Sequence, residues 1–179
     1  MNKVSGALIL SLFLTVIFAF SPKQNPKDTA VYSVKKLKRP MKIDADWNKS
    51  QWKKAKEIAI TNYMGKVPDF RPVAKAKMMY DDENLYLIFH VDDRYVRLQT
   101  SSFNGKVFED ACVEFFFSPD SNLPLSYFNL EMNAGGKALM EYHHDSKTTR
   151  LTAEDFEKVE IAHSMPEKLD QEITEPVTW

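Results

Sequence analysis

Four short segments in a row, each alternating or nearly continuous in apolar residues, constrain this chain more than anything else in it. They are Val73–Tyr80, Asn84–Asp92, Ala111–Ser118 and Tyr127–Asn133, and the stretches between them are rich in Asp, Asn, Ser, Pro and Gly. A period of two is the signature of β-strands, and turn residues at this spacing join strands rather than helices. In Leu85, Leu87, Phe89 and Val91 one face is wholly apolar, while Tyr86, Ile88, His90 and Asp92 share the other. Asp81-Asp82-Glu83-Asn84 is a tight polar connection, so the first two segments form a hairpin. Ala111–Phe117 is apolar on both sides apart from Glu114, which fits a central strand.

The rest is weaker in pattern. Ala30–Lys36 alternates and reads as a first strand. Asp46 is placed to cap a short helix through Trp47–Ala55. Ile58–Ile60 is a short apolar piece, and Asn62–Pro72 is a loop. Asn133-Ala134-Gly135-Gly136 turns into Lys137–His143. His144–Asp155 reads as polar connection, Val159–His163 as a strand, and Met165–Glu175 as charged loop. Val177-Thr178-Trp179 reads as the opening of a further strand, so the domain is expected to be incomplete at its C-terminal end. Many short strands and at most a turn or two of helix imply an all-β fold, an antiparallel β-sandwich of immunoglobulin-like or jelly-roll-like kind.

The N-terminus reads as an address. Lys3 precedes an apolar run, Ala7–Phe20, that is shorter than the about 20 residues a membrane span needs but suits a secretory signal. Ala19 and Ser21 have cleavage-site spacing, although Pro22 makes cleavage after Ser21 awkward. Residues 1–21 are therefore expected to be a signal peptide, 22–30 a linker and 31–179 the sandwich, facing the periplasm, the cell surface or the medium. Outside the signal segment no stretch calls for a membrane.

Composition narrows the partners. With 24 basic against 25 acidic residues the net charge is −1, which argues against nucleic acid, whose binding needs a basic excess. Lys35, Lys36, Lys38 and Arg39 form a local basic run that suits a solvated edge strand. The one cysteine, Cys112, sits in an apolar strand and reads as a small buried hydrophobe. There is no GxSxG, HExxH, cysteine–histidine pairing or Gly-rich phosphate loop, so no catalytic residue is assigned.

In Tyr127–Asn133 the residues Tyr127, Asn129, Glu131 and Asn133 fall on one face. An aromatic, two amides and a carboxylate suit a polyhydroxy ligand. Rings stack on the apolar faces of sugars, and amides, carboxylates and cations read neighbouring hydroxyls. The candidate contacts are Lys77, Tyr86, His90, Arg94, Glu114, Asn129, Glu131 and Asn133, with Lys75 and Tyr127 beside them and Tyr63 or Phe70 as stacking rings. Each has an ordinary alternative as core, ion pair or turn residue. Glu114, between Cys112 and Phe116, is expected to be partly buried and paired with Lys77, Arg94, His90 or a metal.

Five pieces in order resemble the family 9 carbohydrate-binding modules of the DOMON-like sandwich group. They are Ile43-Asp44-Ala45-Asp46 with Trp52 and Ala55; Tyr80-Asp81-Asp82-Glu83-Asn84-Leu85-Tyr86; Val91-Asp92-Asp93; Phe108-Glu109-Asp110-Ala111-Cys112-Val113-Glu114-Phe115-Phe116; and Tyr127-Phe128-Asn129 through Asn133-Ala134-Gly135-Gly136. The resemblance covers roughly Val31–Tyr142. It implies a secreted, non-catalytic module that binds a sugar or oligosaccharide, possible calcium held by Asp44, Asp46, Asp81 and Asp82, and a catalytic or surface protein as partner in glycan breakdown. Modules similar in fold hold sugar ends between two aromatic rings, neither of which matches a residue here. Three alternatives stay open: an adhesion or scaffold sandwich without a sugar site; a glycoside hydrolase or its accessory, using Glu114 and Glu131; and a haem-binding relative, using Met78, Met79 and His90.

Overall fold

The computed structural model describes residues 31–62, 66–123 and 125–179. The expected signal segment, the linker and Tyr63 lie outside the described residues. From Ser33 onward the chain forms one compact unit. The described strands are β1 (Lys35–Lys36), β2 (Ile58–Ile60), β3 (Val73–Tyr80), β4 (Leu85–Asp93), β5 (Cys112–Phe117), β6 (Tyr127–Asn133), β7 (Ala138–His144), β8 (Lys147–Arg150) and β9 (Val177–Thr178). One sheet runs β1-β3-β4-β9 with β2 beside β1 on the edge of β3. The other runs β5-β6-β7-β8. All pairings are antiparallel except β1 with β3. The fold is the all-β sandwich that the alternation predicts.

The β3–β4 hairpin forms where its turn chemistry places it. Asp81 Oδ1 accepts from the backbone N–H of Glu83 (2.9 Å) and of Asn84 (2.7 Å), which closes the turn with a side chain. Tyr86 then donates its hydroxyl to Asp81 Oδ2 at 2.6 Å. These bonds hold the Asp81 carboxyl below the usual carboxylate range, the Tyr86 contact contributing most.

Each face of the β3–β4 sheet is covered differently. Met79, Tyr86 and Ile88 share one face, and Leu37, Met41, Ile43 and Trp52 pack on it. Trp52 is 3% exposed and anchors this cluster. It sits in a 3-10 turn, Trp52–Lys54, rather than in the expected helix. Asp46 caps no helix. Its Oδ1 accepts from Asn48 N–H (2.9 Å) in a local turn, next to Ala45 in the left-handed region at φ 56°. Leu87 and Phe89 point the other way and face Val113, Phe115, Leu130 and Met132 of the second sheet across a cleft of about 200 Å³. Residues 159–164 line this cleft as well but join no ladder, so the expected strand there is not formed.

A second cluster of Val96, Leu98 and Ala134 ties the two sheets together. The segment 165–179 folds back over it. Leu169 N–H donates to Leu98 C=O (3.0 Å), and Ile173 and Val96 exchange backbone bonds at 2.9 and 2.8 Å. β9 then starts a ladder on the outer edge of β4, extended by Trp179 and Val91.

Two further expectations change. The stretch 144–155 is not plain connection. It contains β8 and a one-turn helix, α1 (Ala153–Phe156), closed by a Thr152–Asp155 capping box. β5 is an edge strand, not a central one. Its outward face, Glu114 and Phe116, is open to water.

Candidate functional site

Cross-strand register decides which side chains of the second sheet meet. Glu114 lies opposite Glu131, and Phe116 opposite Asn129. Across the next pairing, Tyr127 meets His143, Asn129 meets Glu141 and Glu131 meets Leu139. Glu141 and His143 meet Arg150 and Thr148 in turn. All therefore share the outer face, because paired residues point the same way. The inner face of the same strands holds Val113, Phe115, Leu130 and Met132.

The centre of this outer face is polar and shielded. Asn129 and Glu131 retain only 6% and 8% of their exposure. Asn129 Nδ2 donates to Glu131 Oε1 at 2.7 Å. The remaining acceptors, Asn129 Oδ1 and Glu131 Oε2, are buried with no hydrogen-bond partner. A buried acceptor left unpaired costs about 1–3 kcal/mol. Burial pushes the Glu131 carboxyl above its ordinary value. The Asn129 hydrogen bond opposes that, and the charges of Glu114 and Glu141 add to the rise.

Around this centre stand rings and charges. Phe116 is 54% exposed. Its ring lies 6.0 Å from that of Tyr127, which stacks on His143 at 4.6 Å. Glu141 accepts from Arg150 Nε at 3.1 Å, and His143 Nε2 lies 3.5 Å from its other oxygen. The Arg150 guanidinium also donates to Asn104 C=O at 3.2 Å, fixing β8 to the loop after β4.

One end of the face is locked. Asn133 is fully buried and uses its whole amide internally. Nδ2 donates to Asp110 Oδ2 (3.0 Å) and Thr100 C=O (3.2 Å), while Oδ1 accepts from Lys137 N–H (2.8 Å). Asp110 also accepts from the backbone of Gln99 (2.9 Å) and Thr100 (2.8 Å). Burial would raise its pKa, but these bonds outweigh it and hold the carboxyl below its usual value. At the adjoining turn, Gly136 has φ +79° and a Cβ there would lie 2.3 Å from the His163 ring, so the turn requires glycine.

The structure thus divides the residues read from the sequence. Glu114, Asn129 and Glu131 come together, with Tyr127 beside them. Asn133 shares the strand face but serves the Asp110 lock. Lys77, Tyr86 and His90 belong to the other sheet, and Arg94 follows its strand β4. Tyr86 is core, tied to Asp81. The Lys77 ammonium lies 3.7 Å from the centroid of the Trp47 ring, on which His90 stacks at 5.1 Å. Arg94 Nε donates to Thr174 C=O at 2.8 Å, near the Tyr95 and Phe70 rings, which meet edge to face at 5.6 Å. The expected partners of Glu114 are therefore absent from its surroundings, and Glu114 is exposed, because β5 forms the sheet edge. The sequence reading missed Phe116, Glu141, His143 and Arg150.

Other expected chemistry lacks a setting among the described residues. Asp44 pairs with Lys49 and Asp82 with Lys36, while Asp46 and Asp81 close turns. No group of three or more acidic, histidine or cysteine side chains among the described residues could hold a metal ion. Met79 is core and His90 lies on Trp47, and neither they nor Met78 line the inter-sheet cleft, so they build no haem pocket. Glu114 and Glu131 sit side by side on neighbouring strands, not on opposite walls of a cleft. Burial, helped by the charges of Glu114, Glu131 and Asp110, pushes the Cys112 thiol up to about 12, so it is no nucleophile at neutral pH.

The fold and this face define a class: a β-sandwich whose one sheet carries an aromatic-rimmed, acceptor-rich outer surface. The chain belongs to carbohydrate-binding family 9, whose description matches residues 41–179. Among solved structures, it is similar to the crystal structure of a candidate carbohydrate-binding protein from Bacteroides uniformis. That match has 23% identity and a TM-score of 0.68, and covers 82% of this chain and 67% of that one. No curated protein matched.

Proposed function

We propose that this chain binds a saccharide, without acting on it chemically, on the outer face of the β5-β6-β7-β8 sheet. The observation that carries the reading is the pair of unpartnered acceptors, Asn129 Oδ1 and Glu131 Oε2, at the centre of a face rimmed by Phe116, Tyr127 and His143. The exposed Glu114 carboxylate would accept from sugar hydroxyls, and the exposed Phe116 ring offers an apolar platform to the C–H face of a pyranose. Membership of family 9 supports the same reading. The N-terminal pattern supports export, so the ligand would be an extracellular or periplasmic glycan, and a glycan-degrading or surface protein would be the natural partner.

A glycan array with the purified chain tests this. Binding should appear on a defined set of glycans and fall at least tenfold in Asn129→Ala and in Phe116→Ala. No binding by the folded protein would reject the reading in favour of a scaffold sandwich. Binding untouched by both substitutions would move the site elsewhere.

A further inference from the structure

The charge on this face is one-sided. Glu114, Glu131 and Glu141 project from three adjacent strands. The cation among them, Arg150, is already engaged by Glu141 and by Asn104 C=O. His143 faces Glu141 and Thr148 Oγ1, at 3.5 and 3.2 Å. Both unpartnered buried side-chain atoms among the described residues are acceptors. The centre thus asks for donors, and its surroundings ask for positive charge.

From this we infer that the site prefers a saccharide carrying a free amino group, such as a glucosamine unit, over its neutral hydroxyl counterpart, and that it rejects uronates. The inference rests on the saccharide reading of the same face and names its ligand class. An ammonium brings three donors where a hydroxyl brings one, and at this face it would meet the exposed Glu114 carboxylate while offsetting charge shared with Glu131 and Glu141. A uronate would bring a fourth carboxylate against three, at contact distances where like charges repel. The Glu131 carboxyl is raised chiefly by burial, and the charges of Glu114 and Glu141 add to the rise, the part that a bound cation would offset. Phe116 and Tyr127 add ring faces, which hold cations as well as sugar C–H groups.

The test is isothermal titration calorimetry of the full chain at neutral pH with four probes. They are a glucosamine tetramer, cellotetraose (its isostere with hydroxyl for amine), a galacturonic acid tetramer, and spermine as a cation without a sugar. The glucosamine tetramer should bind at least tenfold tighter than cellotetraose, with the galacturonate undetectable and spermine at least tenfold weaker. Glu114→Gln, at an exposed position where folding is not at risk, should reduce the preference for the amino sugar at least threefold. Glu83→Gln, in the β3–β4 turn of the other sheet, should leave it unchanged. Equal or tighter binding of cellotetraose overturns the inference while leaving the saccharide reading intact. So does spermine matching the glucosamine tetramer, or equal effects of the two substitutions, since either would mean charge attraction without a site. No binding of any probe also overturns it, and the glycan array then decides separately whether another saccharide is bound.

Discussion

If Asn129 and Glu131 are held for a ligand, the protein without ligand should be more stable when both are removed. The perturbation is the double substitution Asn129→Leu/Glu131→Met, which replaces two polar side chains by apolar ones of similar size. In the native face they contribute one mutual hydrogen bond at 2.7 Å and two buried acceptors with no partner. A typical bond contributes about 1 kcal/mol, and each orphaned acceptor costs about 1–3 kcal/mol. The double variant should therefore gain on the order of 1–5 kcal/mol, or about 2–20 °C in Tm for a domain of this size. The gain should depend on pH. The Glu131 carboxyl is raised in the folded state, so its ionisation penalty is absent at low pH and grows as pH rises through its ordinary value towards the folded one. The stabilisation should thus be larger at pH 8 than at pH 4. Urea denaturation at both pH values measures it. A loss of more than about 1 kcal/mol at pH 8, or a gain larger at pH 4, would refute the reasoning and make the pair a structural element.

Other expectations follow from the same contacts. Asp110→Ala strands the N–H groups of Gln99 and Thr100 and the Asn133 amide, and should cost on the order of 3 kcal/mol in denaturant unfolding. The folded-state pKa of Asp110 is depressed, so its contribution is present above the ordinary carboxylate value and is lost as pH falls through the folded one. Asp110→Asn should flatten the acid limb of the stability–pH curve. Trp52→Ala should cost about 3–5 kcal/mol, measured by thermal unfolding, because the side chain anchors the cluster of Leu37, Met41, Met79 and Tyr86. Cys112 should resist alkylation by iodoacetamide at pH 8 in the folded protein and react on unfolding, as followed by mass spectrometry.

The strands with strong period-two patterns, β3, β4, β5 and β6, were legible, because alternation is what a sheet with one buried face imposes on a sequence. β8 was not: Lys147–Arg150 is wholly exposed, so nothing apolar marks its faces. The expected helix near Trp52 shrank to one 3-10 turn because tertiary burial of Trp52, not helical periodicity, fixes that segment. The grouping of Glu114 with Asn129 and Glu131 could be read from alternation within two neighbouring strands. The addition of Lys77, Tyr86, His90 and Arg94 assumed that all polar strand faces converge. They do not, because strand periodicity says which residues share a face but not which sheet the strand joins. Glu141, His143 and Arg150 became visible only through the β6–β7 and β7–β8 registers, although alternation in Ala138–His144 already set Leu139, Glu141 and His143 on one side. Asn133 carries the same chemistry as Asn129, and its role changes only because the chain near Thr100 and Asp110 passes over it.

Amide chemical-shift mapping by NMR tests the location of the site most directly. On addition of a saccharide ligand found on the array, the largest shifts should fall on Glu114, Phe116, Tyr127, Asn129, Glu131, Glu141 and His143. Shifts concentrated instead around Trp47, Lys77 and His90, or along the cleft between Phe89 and Phe115, with the β5–β7 outer face unmoved, would contradict the account.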